Sequence, residues 1–454
     1  MCSTLLKRVH TGIVAAMTTS FTLREAGHRR VTLLALTLLI APALCAQAGL
    51  AAPATTASPA RMSGVSTARL ARIDSLLDGA VADSSIAGAV ALVLRDGRVM
   101  YERAVGWADV ASNRRMRSDA IFRIASQTKA LTSVAILSLV EQGKLTLDDR
   151  VSRLIPSFAK TTVLDSGMTA PVAARRPITI RDLLTHTAGI SYGTDPQVAD
   201  LYRAKGLGPA MGFGFYFSAQ SEPICASIDR LGTLPFVKQP GAAFVYGYNT
   251  DILGCVVERV SGMTLDEFIR TRITAPLRMS DTHFFLPTSK RARFATVYAS
   301  DSLGRSRRAV DGPTGQGDYV DGPRASFSGG AGLLSTAGDY ARFLQMMLNN
   351  GVLDGARILA PRTVELMTHN QSGTLYAADG RGFGLGFSTV DRLGADGFKS
   401  VGSYGWGGAY GSSYTVDPQE RLVIVFMVQQ IPNSSDVASR FTSMVYQALI
   451  PSGR

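Results

Sequence analysis

Cysteine and histidine are scarce in this chain: four and five in 454 residues. Beyond residue 48 only Cys225 and Cys255 remain, with His186, His283 and His369, and none falls in a CxxC or Cys/His cluster. No metal or cofactor is expected on that basis. The spacing leaves open whether the two cysteines are joined or stay as buried thiols. Long runs of one charge are also missing. The formal net charge is +12, of which the first 48 residues supply +4 (Lys7, Arg8, Arg24, Arg29 and Arg30 against Glu25), leaving +8. SKRAR (289–293) and RSRR (305–308) read as solvated loop faces. A nucleic-acid partner, which needs a denser basic stripe with aromatics, is not expected. Internal repeats are absent as well.

With 46% hydrophobic and 18% charged residues, a sizeable core can be buried. The amino terminus reads as an export signal. Arg29 and Arg30 precede VTLLALTLLIAPAL, and Ala46-Gln47-Ala48 supplies a small-x-small cleavage site. That stretch holds about 14 residues, where a membrane span needs roughly 20. Residues 1–48 are thus expected to be a signal peptide, placing the mature chain in the periplasm or outside the cell, with an uncleaved anchor as the alternative. Residues 49–65, small and Pro-containing, read as a flexible linker. TARLARIDSLLDGAVAD then predicts an amphipathic helix. Two apolar runs around Asp96-Gly97 predict a hairpin. GSSYTVDPQERLVIVFMVQQ predicts two more strands and SSDVASRFTSMVYQALI a closing helix. The expected architecture is a mixed α/β (α+β) domain over 66–450. Its antiparallel sheet comes from both termini, and a helical insert of about 126–320 lies between them.

FRIASQTKALTSVAIL (121–136) carries the chemistry. Ser126 to Val140 is apolar nearly all round, the pattern of a helix buried in a core. Ser126 sits at its start, where free N–H groups and the helix dipole favour developing negative charge. Lys129 lies one turn on, and burial favours its neutral amine, the form that can take a serine proton. The plain alternative is an N-capping serine with a snorkelling lysine. A second Ser-x-x-Lys, Ser157 to Lys160, has no buried helix behind it and is treated as a chance match. Tyr246, just before another apolar helix, offers a phenol for proton relay. Trp406-Gly407-Gly408, before the penultimate strand, offers close backbone approach and an N–H for an oxyanion. His186 in LTHTAG is expected to be a structural turn residue. GLGPAMGFGFYF (206–217) is either a wall over the site or ordinary packing, and Tyr404 and Tyr410 either line the cleft or pack on neighbouring strands.

In this order, Ser-x-x-Lys, a tyrosine about 120 residues on and a Gly-rich strand resemble the penicillin-recognising serine hydrolases. These include class C β-lactamases, D-alanyl-D-alanine peptidases and family VIII carboxylesterases. ITIRDLLTHTAGI, PLRMSDTHFF and GGAGLLSTAGDYARF extend the likeness over about 66–450. The resemblance implies Ser126 as nucleophile, Lys129 as its base and Tyr246 as activator and proton donor to the leaving group. It implies an oxyanion hole from the N–H groups of Ser126 and Ala409. Trp406, Gly407, Gly408 and Tyr248 complete the expected substrate-binding set. Two departures stand out. Tyr246-Gly247-Tyr248 replaces Tyr-x-Asn, and Trp-Gly-Gly replaces Lys-Thr-Gly. Loss of that lysine removes a cation for a substrate carboxylate, which favours neutral small-molecule esters over β-lactams and peptides. A weak β-lactamase or carboxypeptidase, an acyltransferase and an inactive binding protein are the alternatives.

Overall fold

The computed structural model describes residues 64–207, 216–310 and 316–450. The expected signal peptide, nearly all of the expected linker and most of the 206–217 stretch lie outside the described residues. Val65, at the end of that linker, already bridges Leu449.

Helix α1 (Thr67–Ala82) starts at Ser66, whose hydroxyl accepts from the Arg69 N–H, and turns Ile73, Leu76, Leu77 and Ala80 inward. Strands β1 (Gly88–Arg95) and β2 (Arg98–Asp109) follow. Asp96 and Gly97 both have positive φ, the conformation a two-residue hairpin turn requires. The short β3 (Arg114–Arg115) ends this run. Helix α2 (Thr128–Glu141) is buried on nearly every side. The middle of the chain is mainly helical with short strand pairs, and includes α3 (Ile224–Leu231), α4 (Asn249–Ser261) and α5 (Ala337–Leu348). The sheet is completed by β4 (Arg381–Phe383), β5 (Ser388–Val390), β6 (Tyr404–Gly407), β7 (Ser413–Asp417) and β8 (Leu422–Val428). Helix α6 (Val437–Ala448) closes the chain.

The eight strands run β4-β5-β6-β7-β8-β1-β2-β3, and every neighbouring pair is antiparallel. β1 thus lies between its hairpin partner and the last strand, paired Ala89 to Val428 through Arg95 to Leu422. Because it is covered on both faces, β1 reads as an uninterrupted apolar run. Val90, Leu92 and Leu94 join the core that holds α2, α4 and α5. Ala89, Ala91 and Val93 join the smaller core under α1 and α6. This is the β-lactamase/transpeptidase-like fold.

Cys225 on α3 and Cys255 on α4 form a disulfide, Cα to Cα 5.0 Å. It closes a loop with a sequence separation of 30 residues, for which chain entropy gives about 3.6 kcal/mol of stabilisation. The double variant Cys225→Ser, Cys255→Ser should lose about that much in urea unfolding. An unchanged midpoint would show that the link contributes nothing to holding α3 on α4.

Candidate active site

Ser126 does not sit in the first turn of α2 itself. It occupies a single 3₁₀ turn, Ala125–Gln127, that leads into it. Ala125, immediately before it, has φ +44°. Such a conformation costs a non-glycine residue on the order of 1 kcal/mol or more and gathers at functional sites. Ser126 is half-buried between buried neighbours, and it makes no capping hydrogen bond.

Lys129 is 2% exposed. Its Nζ donates to the Gly330 carbonyl at 2.7 Å, the Tyr192 hydroxyl at 3.0 Å and Ser126 Oγ at 3.3 Å. All three ammonium hydrogens thus have acceptors, without which a buried lysine would be strongly disfavoured. The Gly330 acceptor is itself held in place. Asp251, fully buried on α4, accepts from the Gly330 N–H at 3.0 Å and from Ser328 Oγ at 2.5 Å. A Cβ at Gly330 would come within 2.4 Å of the Asp251 carboxyl, so only glycine fits. Burial pushes the Asp251 carboxyl up, opposed by the Lys129 charge and these hydrogen bonds. Thr132 on α2 donates to the Gly329 carbonyl at 2.9 Å, clamping the same loop from the other side.

Tyr246 meets the amine with its ring: Lys129 Nζ lies 4.6 Å from the ring centroid. Its hydroxyl lies 3.2 Å from the Trp406 Nε1–H, which donates to it. The structure differs here from a direct phenol–serine bond. Among the described residues Ser126 Oγ is hydrogen-bonded by Lys129, and the phenol bonded to the amine is Tyr192. Sequence reasoning passed over Tyr192. Its signal was its place just after the His186 turn, two residues beyond the stretch ITIRDLLTHTAGI that resembles the family. The run Gly189-Ile190-Ser191-Tyr192-Gly193 also has nucleophile-elbow spacing. Yet Ser191 is buried, and its Oγ accepts from the Gly193 N–H at 3.1 Å. No strand-to-helix turn presents it.

His186 is buried with φ +56°. Its ring stands 4.7 Å from that of Tyr246. Asn249 Nδ2 lies 3.0 Å from its Nδ1, and the imidazole nitrogen accepts. Burial, reinforced by the Lys129 charge, holds this imidazole well below its usual range, so it is neutral. It backs Tyr246 as a turn residue. Tyr248 requires a correction. It is fully buried, its hydroxyl donates to the Leu207 carbonyl at 3.2 Å, and its ring packs 4.9 Å from Tyr192. It supports Tyr192 from the core and does not line a cleft. Tyr404 and Tyr410 are buried too.

The end of β6 reaches the serine. A Cβ on Gly408 would lie 2.6 Å from the Ile124 carbonyl, so glycine permits this approach. Gly407 and Ala409 flank it. Neither the Ser126 nor the Ala409 backbone N–H bonds to any described residue. The site thus offers an alcohol, an amine with fixed acceptors, two phenols and unoccupied amide donors. Those are the components of acyl transfer. Among the described residues no group of metal-ligating side chains occurs.

A beta-lactamase family profile matches residues 73–449. Esterase EstB of Burkholderia gladioli is 32% identical over 79% of this chain and 89% of its own. A monacolin J acid methylbutanoyltransferase of Aspergillus terreus is 30% identical over 82% of this chain and 93% of its own. Among solved structures, EstCE1, described as a hydrolase with promiscuous acyltransferase activity, superposes with a TM-score of 0.69. It shares 28% identity, covering 84% of this chain and 98% of that one.

His186 makes stability depend on pH. Its pKa is lower folded than unfolded, where it is about 6.5. Below that pH the unfolded chain binds the extra proton, so this contribution is present above pH 6.5 and is lost as pH falls. Urea unfolding at pH 5.5 should show roughly 1 kcal/mol less stability from this group than at pH 7.5. Equal stability at both would mean that the imidazole protonates in place.

Proposed function

The chain belongs to the beta-lactamase family of serine hydrolases and acyltransferases, and on that premise we propose that it is an exported carboxylesterase acting through an acyl-enzyme on Ser126. The observation that carries the reading is Lys129: buried, fully satisfied and hydrogen-bonded to Ser126 Oγ. As the neutral amine it takes the serine proton while Oγ attacks the ester carbonyl carbon. The oxyanion draws on the N–H groups of Ser126 and Ala409. The alkoxide leaves with a proton delivered from the Lys129–Tyr246 side. Water then attacks the acyl-enzyme by the same route in reverse and frees the acid.

Esters are favoured because Trp406-Gly407-Gly408 stands where a lysine would hold a substrate carboxylate, and the likeness to EstB agrees. Export is favoured by the apolar amino-terminal segment and by the Cys225–Cys255 bond, since disulfides persist in oxidising compartments. The similarity to the methylbutanoyltransferase and to EstCE1 supports a second reading, transfer of the acyl group to an alcohol instead of water. Product analysis with added alcohol distinguishes the two.

Short p-nitrophenyl esters should be turned over faster than a chromogenic cephalosporin; dominant cephalosporin turnover would overturn the ester reading. Ser126→Ala should abolish fluorophosphonate labelling, whereas Ser157→Ala should not, because Ser157 Oγ contacts Asp229 at 3.3 Å away from this cluster. Lys129→Ala and Tyr246→Phe should each slow turnover by roughly 10² or more. Tyr192→Phe, which removes one hydrogen bond to the amine, should cost about tenfold. Near-normal rates in any of the three would remove that residue from the mechanism.

A further inference from the structure

Two segments that contribute nothing to the cluster around Lys129 stand side by side and share a chemistry of their own. One is residues 109–119, around β3, where Arg114, Arg115 and Arg117 outnumber Asp109 and Asp119. The other is a hairpin of Tyr298–Ser300 with Ser306–Arg308, which carries Arg305, Arg307 and Arg308 against Asp301. Arg308 pairs with Asp109, and the Tyr298 hydroxyl accepts from the Val110 N–H, so the two segments are tied together. Asp301 serves both Arg305 and Arg307. Among the described residues no carboxylate pairs with Arg115, whose guanidinium lies 3.8 Å over the Trp107 ring. Asp83, on the adjoining loop, accepts from Ser85.

Aliphatic side chains project from the same two segments. Val110 is 45% exposed and Leu303, at the hairpin tip, 71%. Between the segments runs a groove of about 390 Å³. Its lining is apolar at Val81, Ile86, Ala87 and Trp107 and charged at Arg307 and Arg308. One exposed aliphatic side chain is ordinary. Aliphatic tips flanked by surplus arginines, with an apolar groove between them, suit a surface that is anionic outside and apolar just beneath.

We propose that these two segments form a peripheral docking face for a bilayer containing anionic lipid. The arginines meet headgroup phosphates, which a guanidinium can bind through two N–H groups at once. Leu303 and Val110 enter the acyl boundary. A soluble polyanion would use the arginines but leave both aliphatic side chains and the groove uncovered, so the bilayer is the better fit. No helix among the described residues is long and apolar enough to cross a membrane, and the docking needs none. Nor does it depend on which reaction Ser126 performs.

The test sediments the chain from residue 49 onward, which contains every described residue and lacks the apolar amino-terminal segment. The vesicles are phosphatidylcholine alone and phosphatidylcholine mixed with phosphatidylglycerol. The protein should bind the mixed vesicles and not the neutral ones. Arg305→Gln with Arg307→Gln should weaken binding roughly thirtyfold, since each basic residue near an anionic surface contributes about a factor of five. Leu303→Ser and Val110→Ser should each weaken it about tenfold through lost apolar burial. Leu393→Ser, equally exposed but on the β5–β6 loop, should change nothing. Unchanged thermal midpoints verify that the variants fold. No binding to the mixed vesicles, equal binding to the neutral ones, or binding that survives all these changes would overturn the proposal. So would loss in the arginine variant alone, with dextran sulfate competing, because the face would then serve a polyanion.

Discussion

A lysine nitrogen buried at the end of an apolar helix is the constraint from which the rest of the site follows. An ammonium in a core costs several kcal/mol unless each of its hydrogens finds an acceptor and some countercharge lies within reach. Here the acceptors come from three separate parts of the chain: Ser126 one turn back, Tyr192 after the His186 turn, and the Gly330 carbonyl just before α5. Among the described residues no carboxylate pairs directly with Lys129. Asp251 instead holds the Gly330 peptide from behind, accepting its N–H at 3.0 Å. The amine is thereby fixed by hydroxyl and carbonyl acceptors drawn from three parts of the chain.

Glycine sets how closely the pieces approach. Gly330 faces the Asp251 carboxyl and Gly408 faces the Ile124 carbonyl, each at a separation that no side chain tolerates. The first lets α4 press on the loop that receives the lysine. The second lets the end of β6 bring free amide donors to the serine. Ala125, with its unfavourable φ, completes the arrangement by turning the serine out of a buried segment. The stability of two packed cores bears this local strain.

Much of this was legible from the chain. Asp96-Gly97 announced the hairpin, and the unbroken apolar run of β1 is what a strand covered on both faces requires. The all-round burial of α2 followed from its lack of a polar face. Ser126, Lys129 and Tyr246 do come together around one amine. Local pattern could not show which phenol bonds that amine, because the choice between Tyr192 and Tyr246 depends on how a turn and α4 meet across the core. The same limit explains Tyr248, which shares a motif with Tyr246 but is fully buried against Tyr192. Asp251 also escaped notice, since an acidic residue in the first turn of a helix ordinarily favours the dipole and faces water.

The position of β1 in the sheet has a consequence for how the chain comes into being. Its two neighbours are β2, a few residues away, and β8, more than 300 residues later. Until synthesis is nearly finished, one edge of β1 is bare, and the floor beneath α2 lacks its last strands. The nucleophile's helix therefore gains its support only when the final eighth of the polypeptide arrives. A truncated product would carry Ser126 and Lys129, yet present an unpaired apolar strand to its neighbours, the state in which chains aggregate.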